Sequence, residues 1–139
     1  MIRVLLDTNV ILDFLMDRQP FADVSAAIWQ ANDAGRITAY VSVITPVNVF
    51  YIARKLQGAE IAPGLVQSLL NACRICSLGR SALLSALALP VKDFEDAVQV
   101  VSAQEEALDA LVTRDTGDYK SVSFPIFSPD EFLKHFDLE

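Results

Sequence analysis

The sequence predicts a three-layer α/β/α domain built on a central, mostly parallel five-stranded sheet. Short apolar, strand-like segments alternate with helical segments along the whole chain, which is the pattern of a parallel sheet covered on both faces. With 139 residues, of which 53% are hydrophobic and 21% charged, the chain can fill one sizeable core. No repeat, linker or low-complexity tract divides the sequence. We therefore expect residues 1–139 to form a single domain with no internal boundary.

The first third of the chain predicts one strand and two helices. The apolar run 3–6 is typical of a buried strand, and it ends at Asp7. Residues 10–16 indicate a short helix, and a longer helix is expected over residues 22–34. Gly35 is the stop signal of that second helix.

The middle of the chain predicts two strands separated by two helices. β-branched and aromatic residues mark the second strand over residues 37–42. Thr45 as N-cap, followed by a proline at the first helical position, predicts a helix over residues 46–56. Residues 63–73 indicate a further helix, and residues 75–78 a third strand.

The longest periodic segment of the chain follows a short apolar helix expected over residues 81–89. This segment begins at Asp93, and its apolar residues recur at helical spacing on one side. The residues expected on that buried side are Phe94, Ala97, Val101 and Leu108.

The C-terminal segment predicts two strands and a last helix. Residues 110–113 indicate the fourth strand, and residues 123–127 a fifth, at a sheet edge because Pro125 cannot donate a backbone hydrogen bond. Ser128 and Glu131 form a capping box, which predicts the start of the last helix.

Charge and composition exclude some classes of function. The formal net charge of −7 argues against broad adhesion to nucleic acid or anionic membrane through a basic surface. A nucleic-acid enzyme remains open, because metal ions can hold phosphates. We find no secretory leader and no apolar run of about 18 residues, so we expect a cytoplasmic protein without a membrane partner. We interpret Cys73 and Cys76 as buried, inert thiols rather than a redox pair or half a zinc site.

Acidic residues recur where the active edge of the sheet should lie: after the first strand, at the start of the long helix and after the fourth strand. They are Asp7, Glu95, Asp96, Asp115 and Asp118. Carboxylates gathered at one edge repel one another, so such a site normally holds a hard divalent cation. Oxygen-only ligands favour Mg²⁺ or Mn²⁺, which can hold a phosphodiester and activate water. The pattern therefore indicates metal-dependent phosphodiester hydrolysis.

Most of these acidic residues also have an ordinary structural interpretation. Glu95 and Asp96 lie in the first turn of a helix, where carboxylates stabilise the positive end of the helix dipole. Asp115 and Asp118 could belong to a polar turn around a glycine. A carboxylate directly after a buried strand needs a partner, so Asp7 is the strongest indication of a site.

Three successive motifs resemble those of PIN-domain ribonucleases, including the VapC-type toxins of bacterial toxin–antitoxin pairs. They occupy residues 5–10, 93–97 and 111–119, and their order, their spacing and the total length all agree with the family. The resemblance implies a central parallel sheet, Mg²⁺ or Mn²⁺ as cofactor and endoribonuclease activity. It also implies homodimerisation and a small antitoxin protein as partner.

The resemblance assigns roles residue by residue. It makes Asp7, Asp96 and Asp115 the catalytic, metal-binding carboxylates and Asp118 an additional metal ligand. Asn9 resembles the amide that braces the first loop. Thr113 resembles the hydroxyl that orients a carboxylate near the metal.

Asn48 departs from the family pattern. The helix after the second strand usually begins with a glutamate in this family, and Asn48 stands in its place. The amide can accept a hydrogen bond from metal-bound water, or it can be a capping-box variant at the third helical position. Glu95 could restore the missing charge as a further metal ligand. If it does not, the alternative is a catalytically weakened PIN-like module that binds RNA or protein.

Two observations concern supporting contacts and partners. We interpret Asp13 as an ion-pair partner of Arg18 rather than as a residue that positions the metal ligands. Residues 49–53 and 81–89 are apolar on more than one side of their helices, which indicates burial against a second copy in a symmetric dimer. A basic antitoxin segment would be attracted to the acidic site.

Overall fold

Five parallel strands form the centre of the protein, and the computed structural model describes all residues from 1 to 139. Their order across the sheet is β3-β2-β1-β4-β5, and every neighbouring pair is parallel. The strands are β1 (Ile2–Leu6), β2 (Ile37–Ser42), β3 (Arg74–Cys76), β4 (Ala110–Val112) and β5 (Ile126–Phe127). The prediction of a five-stranded parallel sheet is confirmed, with β5 at the expected edge.

Seven α-helices and one 3₁₀ helix cover the two faces of this sheet. The helices are α1 (Thr8–Leu15), α2 (Ala22–Asp33), α3 (Thr45–Gln57), α4 (Ala62–Ala72), α5 (Arg80–Leu87), α6 (Phe94–Glu105) and α7 (Pro129–His135). The 3₁₀ helix spans Thr116–Tyr119, between β4 and β5. This arrangement is the expected three-layer α/β/α fold.

Alternate residues of each central strand enter different hydrophobic clusters, because successive side chains of a strand point to opposite faces. Val4 and Leu6 of β1 pack in the larger cluster, which includes residues of α1, α2, α3, α4 and α7. Leu5, between them, packs in a second cluster with Val100 of α6 and with Tyr119. Helix α5 packs on the outer side of α6 through small residues. Strand β1 is therefore buried on both faces, as its continuous apolar run predicted.

Several helix ends follow the local chemistry of the sequence. The Asp93 carboxylate accepts a hydrogen bond from the Asp96 backbone N–H at 3.0 Å, which caps α6. The predicted capping box of α7 is confirmed, since Ser128 and Glu131 each accept from the other's backbone N–H. Gly35, with a φ of 75°, follows α2 in the left-handed region that favours glycine.

The structure corrects three local predictions. Thr45 is not the N-cap of α3: Ile44 occupies that position, no side chain caps the helix, and the Thr45 hydroxyl is buried without a hydrogen-bond partner. Phe94 is 48% exposed instead of belonging to the buried side of α6. Strand β3 ends at Cys76, so it is shorter and begins earlier than expected.

Cys73 and Cys76 are free, buried thiols. Burial raises the pKa of each thiol to about 12, so almost none of the reactive thiolate is present near neutral pH. The interpretation of these cysteines as inert core residues is confirmed. None of the helices is both long enough and apolar enough to span a membrane.

The strand order places a crevice at the carboxyl ends of β1 and β4. The chain steps from β1 to β2 on one side of β1 and later adds β4 on its other side. At such a reversal of strand order, the loops that follow the two strands diverge and leave an opening where ligands bind in open α/β sheets. Asp7 directly follows β1, and Thr113 directly follows β4.

Candidate metal-binding acidic cleft

The crevice is an acidic cleft of about 330 Å³, lined by side chains from four separate parts of the chain. Its acidic residues are Asp7, Asp93, Glu95, Asp96, Asp115 and Asp118. Thr8, Asn9, Leu12, Arg18 and Ile52 complete the lining. The acidic residues singled out in the sequence therefore face one common space, together with Asp93, which had been noted only as the start of α6.

Asp7 is the most heavily hydrogen-bonded side chain of the cleft, and only 6% of it is exposed. Its Oδ1 accepts from the Thr8 backbone N–H at 2.7 Å and from the Gln99 side-chain amide at 2.7 Å. Its Oδ2 accepts from the Thr113 hydroxyl at 2.7 Å and from the Tyr119 hydroxyl at 3.4 Å. A buried carboxylate needs such partners, and these hold Asp7 in a fixed orientation.

Gln99 and Tyr119 were not identified as site residues from the sequence. Gln99 is fully buried on α6, three residues after Asp96, and its Oε1 has no hydrogen-bond partner. The sequence did contain an indication of its role, since Gln99 is a polar amide inside the largely apolar segment Val98–Ala103. Tyr119 is 2% exposed, and its hydroxyl interacts with both Asp7 and Asp96. Tyrosine is a common core residue, so the sequence alone gave it no distinguishing mark.

Thr113 and Asn9 connect the loops that follow β1 and β4. The Thr113 hydroxyl donates to Asp7 and accepts from the Asp115 backbone N–H at 3.1 Å. The Asn9 side-chain amide donates to the Asp115 carboxylate at 3.1 Å, and its Oδ1 accepts from the Arg114 backbone N–H at 3.4 Å. These contacts hold Asp115 beside Asp7 at the mouth of the crevice.

A buried ion-pair network lies beneath the first loop. Asp13 is completely buried and pairs with Arg18 at 2.9 Å, as predicted, and also with Arg114 at 2.6 Å. The Arg114 guanidinium lies 3.9 Å from the centre of the Phe21 ring. Because Arg114 directly precedes Asp115, this network also fixes the loop after β4. Asp13 is thus a support of the site as well as an ion-pair partner.

Glu95 lines the cleft, and Asn48 of α3 lies close to Glu95 without being part of the lining. The Thr8 hydroxyl lies 3.4 Å from Glu95 Oε1, and Asn48 is close enough to lower the Glu95 pKa. The capping interpretation of Asn48 fails, since no side chain caps α3. The sequence left open whether Glu95 could restore the charge that is missing at position 48, and Glu95 lies close to Asn48.

Burial and neighbouring carboxylates raise the pKa of Asp96 and of Glu95. Burial, followed by the negative charge of Asp7, raises the pKa of Asp96 to about 6 from an ordinary 3.8, although the hydrogen bond from Tyr119 acts in the opposite direction. Burial and the charges of Asp7 and Asp93 also raise the pKa of Glu95. The cleft therefore carries excess negative charge that a cation would offset.

The donor set of the cleft fits a hard divalent cation in charge and in chemistry. All of its potential ligands are oxygen atoms, and neither cysteine nor the single histidine lines it. The carboxylates are not drawn together into a finished coordination shell, since no three acidic, cysteine or histidine side chains form a ready-made metal site. Asp7 is held by its four hydrogen-bond donors, so the less buried Glu95, Asp96, Asp115 and Asp118 are the side chains that would turn towards an ion.

Comparisons with known proteins agree with this fold. A family model described as PIN domain matches residues 3–117. No curated protein matches the chain by sequence. A chain of the VapBC2 complex from Rickettsia felis, bound to a DNA fragment from its promoter, is similar in structure with a TM-score of 0.72 and 16% identity, over 91% of this chain and 98% of that chain.

Two further solved structures share the fold. A chain of a toxin–antitoxin complex from Klebsiella pneumoniae has a TM-score of 0.68 and 22% identity, over 91% of this chain and 97% of that chain. VapC20 from Mycobacterium tuberculosis, a toxin that cleaves the sarcin–ricin loop, has a TM-score of 0.68 and 10% identity, over 86% of this chain and 96% of that chain. Since the family model covers most of the sequence and these structures share its architecture, the chain belongs to the PIN domain family.

Proposed function

We propose that this protein is a metal-dependent endoribonuclease that hydrolyses phosphodiester bonds in RNA and serves as the toxin of a toxin–antitoxin pair. The observation that carries the proposal is the convergence of six carboxylates on one cleft at the strand-order reversal of a PIN-domain sheet. The raised pKa values of Asp96 and Glu95 support a cation in this cleft. The VapC-type chains with the same fold support the choice of RNA as substrate.

The proposed ligands of Mg²⁺ or Mn²⁺ are Asp7, Asp96, Asp115 and Asp118, with Glu95 in addition. A bound ion of this kind would hold the phosphodiester and lower the pKa of an attacking water. The chain's own residues orient the carboxylates: Gln99, Thr113 and Tyr119 fix Asp7, and Asn9 holds Asp115.

Glu95 is the proposed replacement for the carboxylate that the family resemblance led us to expect at position 48. It lies across the cleft from α3, within reach of Asn48, and it hydrogen-bonds with Thr8. The negative charge would then come from the first turn of α6 instead of from α3. Asn48 supports this arrangement by lowering the Glu95 pKa, which favours the charged, metal-binding form.

Substitution of the central carboxylates tests the proposal. Asp7→Asn and Asp115→Asn should each reduce cleavage of single-stranded RNA in Mn²⁺ by at least about a hundredfold, an estimate from the size of electrostatic contributions to catalysis. Asp115 is exposed, so its variant tests the activity even if Asp7→Asn unfolds the buried centre. Asp33→Asn, at the exposed end of α2, is the matched control and should keep full activity.

Asn48 and the open arrangement of the carboxylates favour one alternative, a catalytically weakened PIN-like module that binds RNA or protein. The same experiment separates the two functions. Binding of RNA without cleavage by the unmodified protein would support the module, whereas cleavage lost only in the cleft variants would support the enzyme.

The proposed partners are an antitoxin and a second copy of the chain. Toxin–antitoxin complexes among the structures with this fold support the antitoxin. An arginine of a basic antitoxin segment could reach Asp7 and Asp96 and displace the metal. The dimer would use α5, whose exposed leucines surround an apolar groove. The substrate RNA would be met in the cytoplasm, and co-purification of a small basic protein encoded beside this chain would test the antitoxin.

A further inference from the structure

A second polar pocket opens directly beside the acidic cleft. It measures about 460 Å³, and none of the residues that line it is hydrophobic. Asp93, Asp96 and Asp118 line both spaces, so the pocket borders the cleft. Its remaining lining residues are Pro90, Lys92, Gly117, Lys120 and Ser121. We refer to it as the lysine pocket.

Two exposed lysines give this pocket a different charge character from the cleft. Lys92 lies just before α6, and Lys120 follows the 3₁₀ helix, so they approach the pocket from two separate segments. Neither forms an ion pair within 4 Å, since the ion pairs of the protein involve only Arg3, Arg18 and Arg114. The ammonium groups are therefore available to an external anion.

The end of the Lys120 side chain lies close to Gly117. A Cβ atom added at Gly117 would lie 3.8 Å from Lys120 Cε, so the aliphatic part of Lys120 passes over this glycine. By contrast, Arg18, the basic residue of the acidic cleft, is held by Asp13 and by the Asn9 carbonyl. The lysine pocket thus contains two unpaired cations together with Asp96 and Asp118 of the proposed metal site.

We propose that the lysine pocket binds a backbone phosphate of the RNA strand next to the phosphodiester that is cleaved in the acidic cleft. This inference rests on the nuclease function proposed above. No aromatic or large aliphatic residue lines the pocket to stack on a base, whereas lysine ammonium groups bind phosphate as point charges. Because the pocket borders the cleft, one strand that passes over the shared aspartates can reach both spaces, and the two lysines offset the repulsion between its phosphates and these aspartates.

The test measures RNA binding separately from RNA cleavage. Ca²⁺ replaces Mn²⁺, a gel verifies that the RNA stays intact, and fluorescence anisotropy of a short, labelled single-stranded RNA gives the Kd at several salt concentrations. Lys92→Ala/Lys120→Ala should raise the Kd about tenfold and lower the salt dependence of log Kd by about 0.7 per lysine. In Mn²⁺ the same variant should raise KM and leave kcat nearly unchanged.

Two matched variants distinguish a phosphate site from a general loss of charge or of structure. Lys55→Ala/Lys134→Ala removes the same number of positive charges at exposed positions outside the pocket and should leave the Kd close to that of the unmodified protein. Lys92→Arg/Lys120→Arg keeps the charges and should restore binding.

Equal Kd values for the two alanine double variants would overturn the inference, even if the protein cleaves RNA. A weakened Kd specific to Lys92 and Lys120, in a protein that cleaves no RNA in Mn²⁺, would support the pocket and contradict the nuclease function. A protein that binds no RNA in Ca²⁺ would contradict the inference outright.

Discussion

Asp7 holds the candidate site together because four donors from four separate segments meet at its carboxylate. Thr8 begins α1, Gln99 belongs to α6, Thr113 follows β4, and Tyr119 lies in the 3₁₀ helix. Each donor offsets part of the cost of burying this carboxylate, so loss of one leaves a buried acceptor less well satisfied. The orientation of Asp7 therefore depends on helix packing at some distance along the chain.

Gln99→Glu should be strongly destabilising near neutral pH. The substitution replaces the amide donor, 2.7 Å from Asp7 Oδ1, with a second buried carboxylate. The free energy of unfolding should fall by about 3–5 kcal/mol, the usual cost of an uncompensated buried charge. The loss should be smaller at pH 5, where a protonated Glu can again donate to Asp7. Chemical denaturation at the two pH values measures both effects.

Gln104→Glu is the matched control for that experiment, because Gln104 belongs to the same helix and is exposed. It should change the free energy of unfolding by no more than about 0.5 kcal/mol. Equal losses for the two variants would show that the contact between Gln99 and Asp7 has no special energetic role.

Asp96→Asn should stabilise the metal-free protein as the pH rises. The pKa of Asp96 is raised in the folded protein to about 6 from an ordinary 3.8, so the folded state holds this proton more tightly than the unfolded chain does. Ionisation of Asp96 therefore lowers the free energy of unfolding. The whole loss is present above about pH 6, and none of it remains below about pH 4. In EDTA, the variant should have the higher Tm at pH 7, and the gap should close towards pH 4.

Asp33→Asn, at an exposed position, serves as the reference for the pH experiment and should show no such gap. With Mn²⁺ added at pH 7, the unmodified protein should have a higher Tm than Asp96→Asn, because this variant lacks one of the proposed metal ligands. A Tm difference between Asp96→Asn and the unmodified protein that does not change with pH would mean that burial and the neighbouring carboxylates do not raise the pKa of Asp96.

At this scale, the sequence predicted five of the six acidic residues of the cleft and, through the family resemblance, the donors Asn9 and Thr113. It did not predict the donors Gln99 and Tyr119. A carboxylate directly after a buried strand stands out, because a charged side chain is rarely buried without a partner. Gln99 and Tyr119 act through contacts with residues far away in sequence, and neither contact leaves a local pattern. Asp13 was recognised as an ion-pair partner, but its second arginine comes from the loop after β4.

Among the helices, local capping chemistry predicted some starts well and one poorly. Ser128 and Glu131 form two reciprocal hydrogen bonds that need no distant partner, so their pattern was sufficient. Thr45 had the right residue type for an N-cap, but tertiary packing buries it and starts α3 one residue earlier. Phe94 likewise fitted the helical period, but its place in the first turn of α6 leaves it half exposed.

Helix α5 carries the apolar surface on which the proposed dimer depends. Its small residues Ala82 and Ala86 pack against α6, while Leu84 and Leu87 are 55% and 68% exposed. Large leucines at such exposure are typical of a surface that a partner covers. Light scattering at micromolar concentration should give the mass of a dimer for the unmodified protein and of a monomer for Leu84→Lys/Leu87→Lys.

Leu70→Lys is the matched control for the dimer, since Leu70 is an exposed leucine of α4. This variant should remain dimeric. A monomer mass for the unmodified protein would rule out the α5 interface, and a monomer mass for Leu70→Lys would move the interface to α4.

On the scale of the whole molecule, the sequence predicted the layers and the direction of the strands but not the strand order. Apolar strands between helices require a parallel sheet covered on both faces. The order depends on which helices cross each face, and this follows from the packing of distant segments. The reversal at β1 brings the loops after β1 and β4 together, and this convergence turns scattered acidic residues into a cleft.

The charge distribution of the whole chain agrees with a nuclease that relies on metal ions. A net charge of −7 gives no general attraction for RNA, and the cleft concentrates carboxylates where a phosphodiester would lie. A divalent cation would offset that charge and would stabilise the fold by about 2.7 kcal/mol at one hundred times its dissociation constant. Metal binding, stability and cleavage should therefore rise together.

The most direct test of the central claim is RNA cleavage by metal-stripped protein as Mn²⁺ is added. We expect no cleavage in EDTA, and we expect activity to return over the same range of Mn²⁺ concentration in which the Tm rises. Asp115→Asn should shift or abolish both curves, since its carboxylate lines the cleft. Equal cleavage in EDTA and in Mn²⁺, or a Tm that does not respond to millimolar Mn²⁺, would contradict the account.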